Sequence, residues 1–147
     1  FFPNIDPNIQ DESGQTALMF AIRQDDPEPI ISQLHKVFPN IDSNIQDKDQ
    51  NTALMYLLKS YYYFDDVSFF LDTFPNVDAQ IQNAQGETAL TIAIEEGDIS
   101  IVALLLERFP DIISLTNSAG QTTLMLATKK NDINLISMLL KHISQID

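Results

Sequence analysis

The chain has 147 residues, 44% of them hydrophobic and 20% charged, enough apolar material for a packed core and too little charge for a disordered tail. Twenty-one acidic residues against eight basic ones give a formal charge of −13, which repels a phosphate backbone and argues against nucleic acid as a partner. Cysteine is absent, which excludes disulfides and thiolate metal sites and fits a reducing intracellular setting, the cytoplasm first, while no apolar run approaches the ~20 residues of a membrane span.

Residues 1–10 read as a loop, Phe-Pro-Asn-Ile-Asp-Pro-Asn-Ile-Gln from Phe2 to Gln10, with neither an initiator Met nor a secretory leader. They are expected to be the tail of a preceding unit in a longer array. From Gly14 the phrase Gly-Gln-Thr-Ala-Leu-Met opens a first short helix, and Pro27 and Pro29 fall where the first turn of a second helix tolerates missing donors. The opening loop returns from Phe38 to Gln46, and Gln50-Asn-Thr-Ala-Leu-Met55 restarts the helical phrase. A third copy follows from Phe74, with apolar periodicity over 88–96 and 99–108 around the polar break Gly97-Asp98. The fourth has a degraded loop from Phe109, the phrase Gly-Gln-Thr-Thr-Leu-Met from Gly120, a break at Asn131-Asp132 and a last apolar stretch from Ile133.

The phrase's Thr recurs at Thr16, Thr52, Thr88 and Thr122, spacings of 36, 36 and 34 residues, so the chain divides into units at 11–46, 47–82, 83–116 and 117–147. Each Thr is expected to cap a first helix, and Asp98, Asp132 and the pairs Asp25-Asp26 and Asp65-Asp66 to cap second helices. Asn40 and Asn76, just after the second helices, are expected to end them in the left-handed conformation.

Turn, Gly-x-Thr-Ala-Leu, short helix, Gly-Asp or Asn-Asp, Ile-Val-x-x-Leu-Leu and an Asp-x-Asn loop resemble the ankyrin repeat over essentially the whole chain. The third unit carries the likeness best, through Gly86, Thr88, Leu90, Ala93, Gly97, Ile101, Val102, Leu105 and Leu106. The resemblance implies an all-α repeat solenoid of stacked helix-turn-helix units joined by hairpin-like loops. One departure is chemical: where the family places a histidine whose side chain relays hydrogen bonds, this chain has Met19, Met55, Thr91 and Met125. Units one and two also carry extra residues between and at the end of their helices.

The same resemblance implies a non-catalytic scaffold that binds an intracellular protein through a concave surface of loop tips and first helices, while the acid excess of residues 1–107 is expected to draw a partner with a basic face. Aligned to that surface are Glu12, Ser13, Gln15, Arg23 and Gln24 in the first unit, and Lys48, Asp49, Asn51 and Lys59 in the second. The third contributes Gln85, Glu87, Glu95 and Glu96, and the fourth Gln121, Lys129 and Lys130. Tyr61, Tyr62 and Tyr63, followed by Phe64, are candidate apolar anchors, because four consecutive aromatics on a helix cannot all point inward. The bland alternative is that an extra residue lengthens the first helix and the rings pack on neighbouring units. A structural spacer that binds nothing, or a targeting module of an enzyme or ubiquitin-ligase adaptor encoded elsewhere, are the competing functions.

No catalytic chemistry is visible. His35 occupies the second Leu position of the Ile-Val-x-x-Leu-Leu pattern and is read as a part-buried structural residue, and His142 has no catalytic neighbour in sequence. Four glycines leave no phosphate-cradling loop, and no nucleophile, dinucleotide or metal motif occurs, so no enzyme activity, cofactor or metal is expected.

Overall fold

A computed structural model describes residues 5–60 and 64–146. Eight α-helices run in pairs through it: α1 (Ala17–Ile22) with α2 (Pro27–Val37), α3 (Ala53–Lys59) with α4 (Phe64–Thr73), α5 (Ala89–Glu96) with α6 (Ile99–Arg108), and α7 (Thr123–Lys130) with α8 (Ile133–Ile146). A 3₁₀ turn, Pro110–Ser114, follows α6. Among the described residues there is no strand, only a single bridge between Thr116 and Thr122. The pairs fall into two compact units, Phe1–Asp78 and Ala79–Asp147. Within each, first helix lies on first helix and second on second: α1 on α3 and α2 on α4 in one, α5 on α7 and α6 on α8 in the other.

The helices start where the sequence chemistry says. Thr16, Thr52, Thr88 and Thr122 each accept at Oγ1 from the N–H three residues on, at 3.2–3.4 Å. One orphan donor per first helix is thereby satisfied. Asp98 accepts from the N–H groups of Ser100 and Ile101, and Asp132 from those of Asn134 and Leu135.

Three expectations are corrected. Asp26 precedes α2 but makes no side-chain cap. A cap binds an N–H two or three residues on, and Pro29 removes the second of these, leaving Glu28 alone. Asp65 and Asp66 lie inside the first turn of α4, where they complement its positive end instead of preceding it. Asn40 and Asn76 are not left-handed; among the described residues the positive-φ positions other than glycine are Gln50 and Asn131. The helix α2 stops because Pro39 cannot continue it, its last N–H bond running from Phe38 to Leu34. Left-handed caps instead end two first helices, Gly97 after α5 and Asn131 after α7.

The core follows the repeat. Leu18, Leu54 and Leu90 are buried at one position of the phrase, and Val67, Phe70, Val102, Leu105, Leu135 and Leu139 on the second helices. At Gly86 (φ +72) a Cβ would run into the backbone of Ser118, so that loop approach requires glycine.

Candidate functional site

Each loop tip is closed by an Asp or Asn whose side chain folds back on its own backbone. Asp11 Oδ1 accepts from the N–H of Ser13 and Gln15, Asp47 Oδ1 from Asn51, Asn83 Oδ1 from Gln85 and Glu87, and Asn117 Oδ1 from Ala119 and Gln121. Backbone bonds close the same tips, for example Asp47 N–H to Asn51 O at 3.0 Å. The tip geometry is therefore local, as Asx turns are.

Neighbouring loops are tied by glutamine. Gln10 Nε2 donates to Gly14 O at 2.6 Å within its own tip and to Gln46 O at 2.8 Å in the next. Gln82 Nε2 donates to Thr116 O at 2.6 Å in the other unit. Asparagine adds a parallel tie: Asn8 Oδ1 accepts from Asp42 N–H, while Asn44 donates to Asn76 O and accepts from Asp78 N–H. At the position of the family's histidine, Thr91 partly replaces the relay, accepting from Thr88 N–H at 2.8 Å and donating to Thr88 O at 3.0 Å.

Most of the sequence-selected surface residues are in fact outward. Glu12, Ser13, Arg23, Gln24, Lys48, Asp49, Lys59, Gln85, Glu95, Glu96, Lys129 and Lys130 are exposed, and Gln15, Asn51, Glu87 and Gln121 are half-buried. The half-buried set is engaged at the tips: Asn83 Nδ2 donates to Glu87 Oε2 and Asn117 Nδ2 to Gln121 Oε1. Lys130 Nζ lies 3.3 Å from where a Cβ on Gly97 would stand, close to the negative end of α5. Tyr61, Tyr62 and Tyr63 lie outside the described residues. Before them α3 ends at Lys59, with Ser60 already extended, so that first helix is not lengthened.

In the unit Phe1–Asp78 two of the selected residues, Gln15 and Arg23, meet three that sequence reasoning did not select: Phe20, Asp47 and Tyr56. The Tyr56 hydroxyl donates to Asp47 Oδ2 at 2.5 Å and accepts from Gln15 Nε2 at 3.0 Å. Gln15 Oε1 in turn accepts from an Arg23 guanidinium nitrogen at 2.7 Å. The guanidinium lies over the Phe20 ring at 4.9 Å and over the Tyr56 ring at 5.4 Å. Burial, then the bond to Asp47, pushes the Tyr56 phenol up to about 12, so it stays a neutral donor. Asp47 is buried and Phe20 is 44% exposed, so the group runs from a fixed base to a solvent-facing ring. The missed signal was Phe20 and Tyr56 recurring four residues after the capping Thr, where Ile92 and Leu126 stand in the other unit.

His35 is half-buried, its ring edge-on to Phe74 at 5.4 Å, with Nδ1 enclosed and unpartnered among the described residues. That environment is structural. No group of three or more His, Asp or Glu residues among those described is placed to hold a metal ion. None of the described helices is long and apolar enough to cross a membrane.

Paired helices stacked like on like, with Asx-closed tips, define a helical-hairpin repeat protein, an all-α repeat solenoid. A family model described as ankyrin repeats, in three copies, matches residues 60–147, and the chain belongs to the ankyrin-repeat family. Ankyrin repeats are generally protein–protein interaction modules, on a fold that is typically non-catalytic. A search of curated proteins finds no match to the chain.

Proposed function

We propose that the chain is a non-catalytic module that holds an intracellular protein partner on its loop tips and first helices. One observation carries the reading. At a single position of the repeated phrase the side chains are Arg23, Lys59, Glu95 and Lys129, all exposed, while the Leu five residues earlier is buried in the first three units. Exposed residues that differ from unit to unit, cationic in three and acidic in one, on a repeated frame are those a partner can read. The acid excess of residues 1–107 favours a partner with a basic face. Tyr61 to Tyr63 belong to the proposed surface as apolar anchors, and the unit division at 11, 47, 83 and 117 belongs to the proposal.

The test is affinity capture from cell extract with the chain and with a quadruple variant, Arg23→Ala, Lys59→Ala, Glu95→Ala and Lys129→Ala, whose melting is checked first. A partner held by the parent and lost from the folded variant is the expected result. Equal capture by both defeats the reading. It would favour a stacking segment instead, for which the exposed Ile30 and Val37 beside Pro29 and Phe38 on α2 speak, an apolar surface of the kind repeats bury on a neighbour.

A further inference from the structure

The unit Phe1–Asp78 carries thirteen acidic and four basic residues, and Arg23 is the single cation of its first helix pair before Lys36. An exposed arginine in such a setting is ordinarily mobile. Here it is not left so: Gln15 accepts one of its N–H bonds, and its guanidinium lies over the rings of Phe20 and Tyr56. Gln15 is itself held by the Tyr56 hydroxyl, which is anchored on buried Asp47. The chain Asp47–Tyr56–Gln15 thus fixes the guanidinium from below. Two rings lie against it, Arg23 is exposed as a residue, and Gln15 is the one acceptor its guanidinium meets among the described residues, so donors remain to be used. A guanidinium held against two rings with donors to spare can grip a planar carboxylate with two parallel hydrogen bonds. The ordering that such a grip normally demands of the side chain has already occurred.

Beside it stands an apolar surface, the 44% exposed ring of Phe20. The surrounding charge is the opposite of Arg23's: Asp11, Glu12, Asp25 and Asp26 are all exposed on the adjacent tip and the turn after α1. Resting on the proposed first-helix surface, we infer that Arg23 and Phe20 form a register pocket for one acidic side chain, Asp or Glu, with an apolar neighbour, within an otherwise basic partner segment. The basic residues answer the field of the unit. The single carboxylate fixes which residue of the segment faces α1, because a uniformly basic segment places a like charge against Arg23.

A random peptide library displayed as internal sequence, with no free carboxyl terminus, provides the probe. Selection on the intact chain should return basic peptides that share one Asp or Glu next to an apolar residue. Replacing that residue by Asn or Gln in a selected peptide should weaken binding to the parent roughly 10- to 100-fold, the range expected for losing a charge-assisted pair. The same replacement should change binding to Arg23→Gln by less than about twofold, and Arg23→Lys, which keeps the charge and loses the fork, should fall between Arg23→Gln and the parent. Both variants are first checked for unchanged melting; Phe20→Ala, which leaves the Gln15 bond in place, removes the apolar neighbour together with one of the two rings against Arg23 and should also weaken binding. Selected peptides with no common acid, or an acid whose loss weakens parent and variant equally, overturn the register pocket while leaving the first-helix surface standing. Peptides unaffected by Arg23, Lys59, Glu95 and Lys129 together, or no binders at all, overturn both.

Discussion

The two compact units use the same phrases for different ends. In Ala79–Asp147 the local rules agree with one another: Thr88 and Thr91 form a capping box, Asp98 and Asp132 cap the second helices, and Gly97 and Asn131 end the first helices in the left-handed region. In Phe1–Asp78 several of these devices are missing. The helix α1 has six residues against eight in α5, Asp26 caps nothing, and Gln50 holds a positive φ that glycine takes in the other repeats. What this unit has instead is a polar and aromatic group joining consecutive repeats, Asp47, Tyr56, Gln15 and Arg23. The difference teaches that regularity and recognition compete for the same slots: Tyr56 stands where Ile92 packs as pure core.

The strongest way to break this comparison is through the core. Leu105 is fully buried in α6, and Leu105→Ala should lower stability by about 2–5 kcal/mol through the lost contacts and the cavity, read by denaturant unfolding. A loss under 1 kcal/mol would mean that the regular unit is not packed as tightly as its burial indicates. Next is Tyr56→Phe, which strands Asp47 Oδ2 and Gln15 Nε2 and should cost about 1–2 kcal/mol. The phenol also gives a pH signature. Its acidity is weakened in the fold from 10.0 to about 12, so between those values the unfolded chain releases the proton and the folded one keeps it. The stability it adds is complete below about pH 10 and disappears as pH rises toward about 12, and Tyr56→Phe should lack that decline. The smallest effect discriminates most finely. Asp98→Ala should cost about 1 kcal/mol, because a cap bonded to two N–H groups is lost, whereas Asp26→Ala should change melting by a few tenths at most. Equal losses at the two sites would erase the contrast in capping.

Much of the fold was legible because it is set by short-range chemistry repeated in phase. A Thr before Ala-Leu caps a helix by itself, so four helix starts could be read from four threonines. The core leucines follow from the period. Other features depend on combinations: Asp26 looks like a cap until Pro29 is recognised as removing one of the two donors it could bind. Tyr56 looks like core from its place in the period, and only the fold of the loop brings Gln15 and Asp47 to its hydroxyl. Of the surface residues, exposure was readable from their variability, but the fixing of Arg23 was not, since it depends on side chains from two repeats.

The glutamine ties between loops carry one more consequence. A histidine in that service changes charge between about pH 5 and 8 and would alter its hydrogen bonds as it did so. The carboxamides of Gln10 and Gln82 offer the same donors whatever the proton concentration. Within each unit, then, these ties between loops do not depend on the protonation of an imidazole, and the ruler against which a partner is measured keeps its spacing where a histidine tie would change.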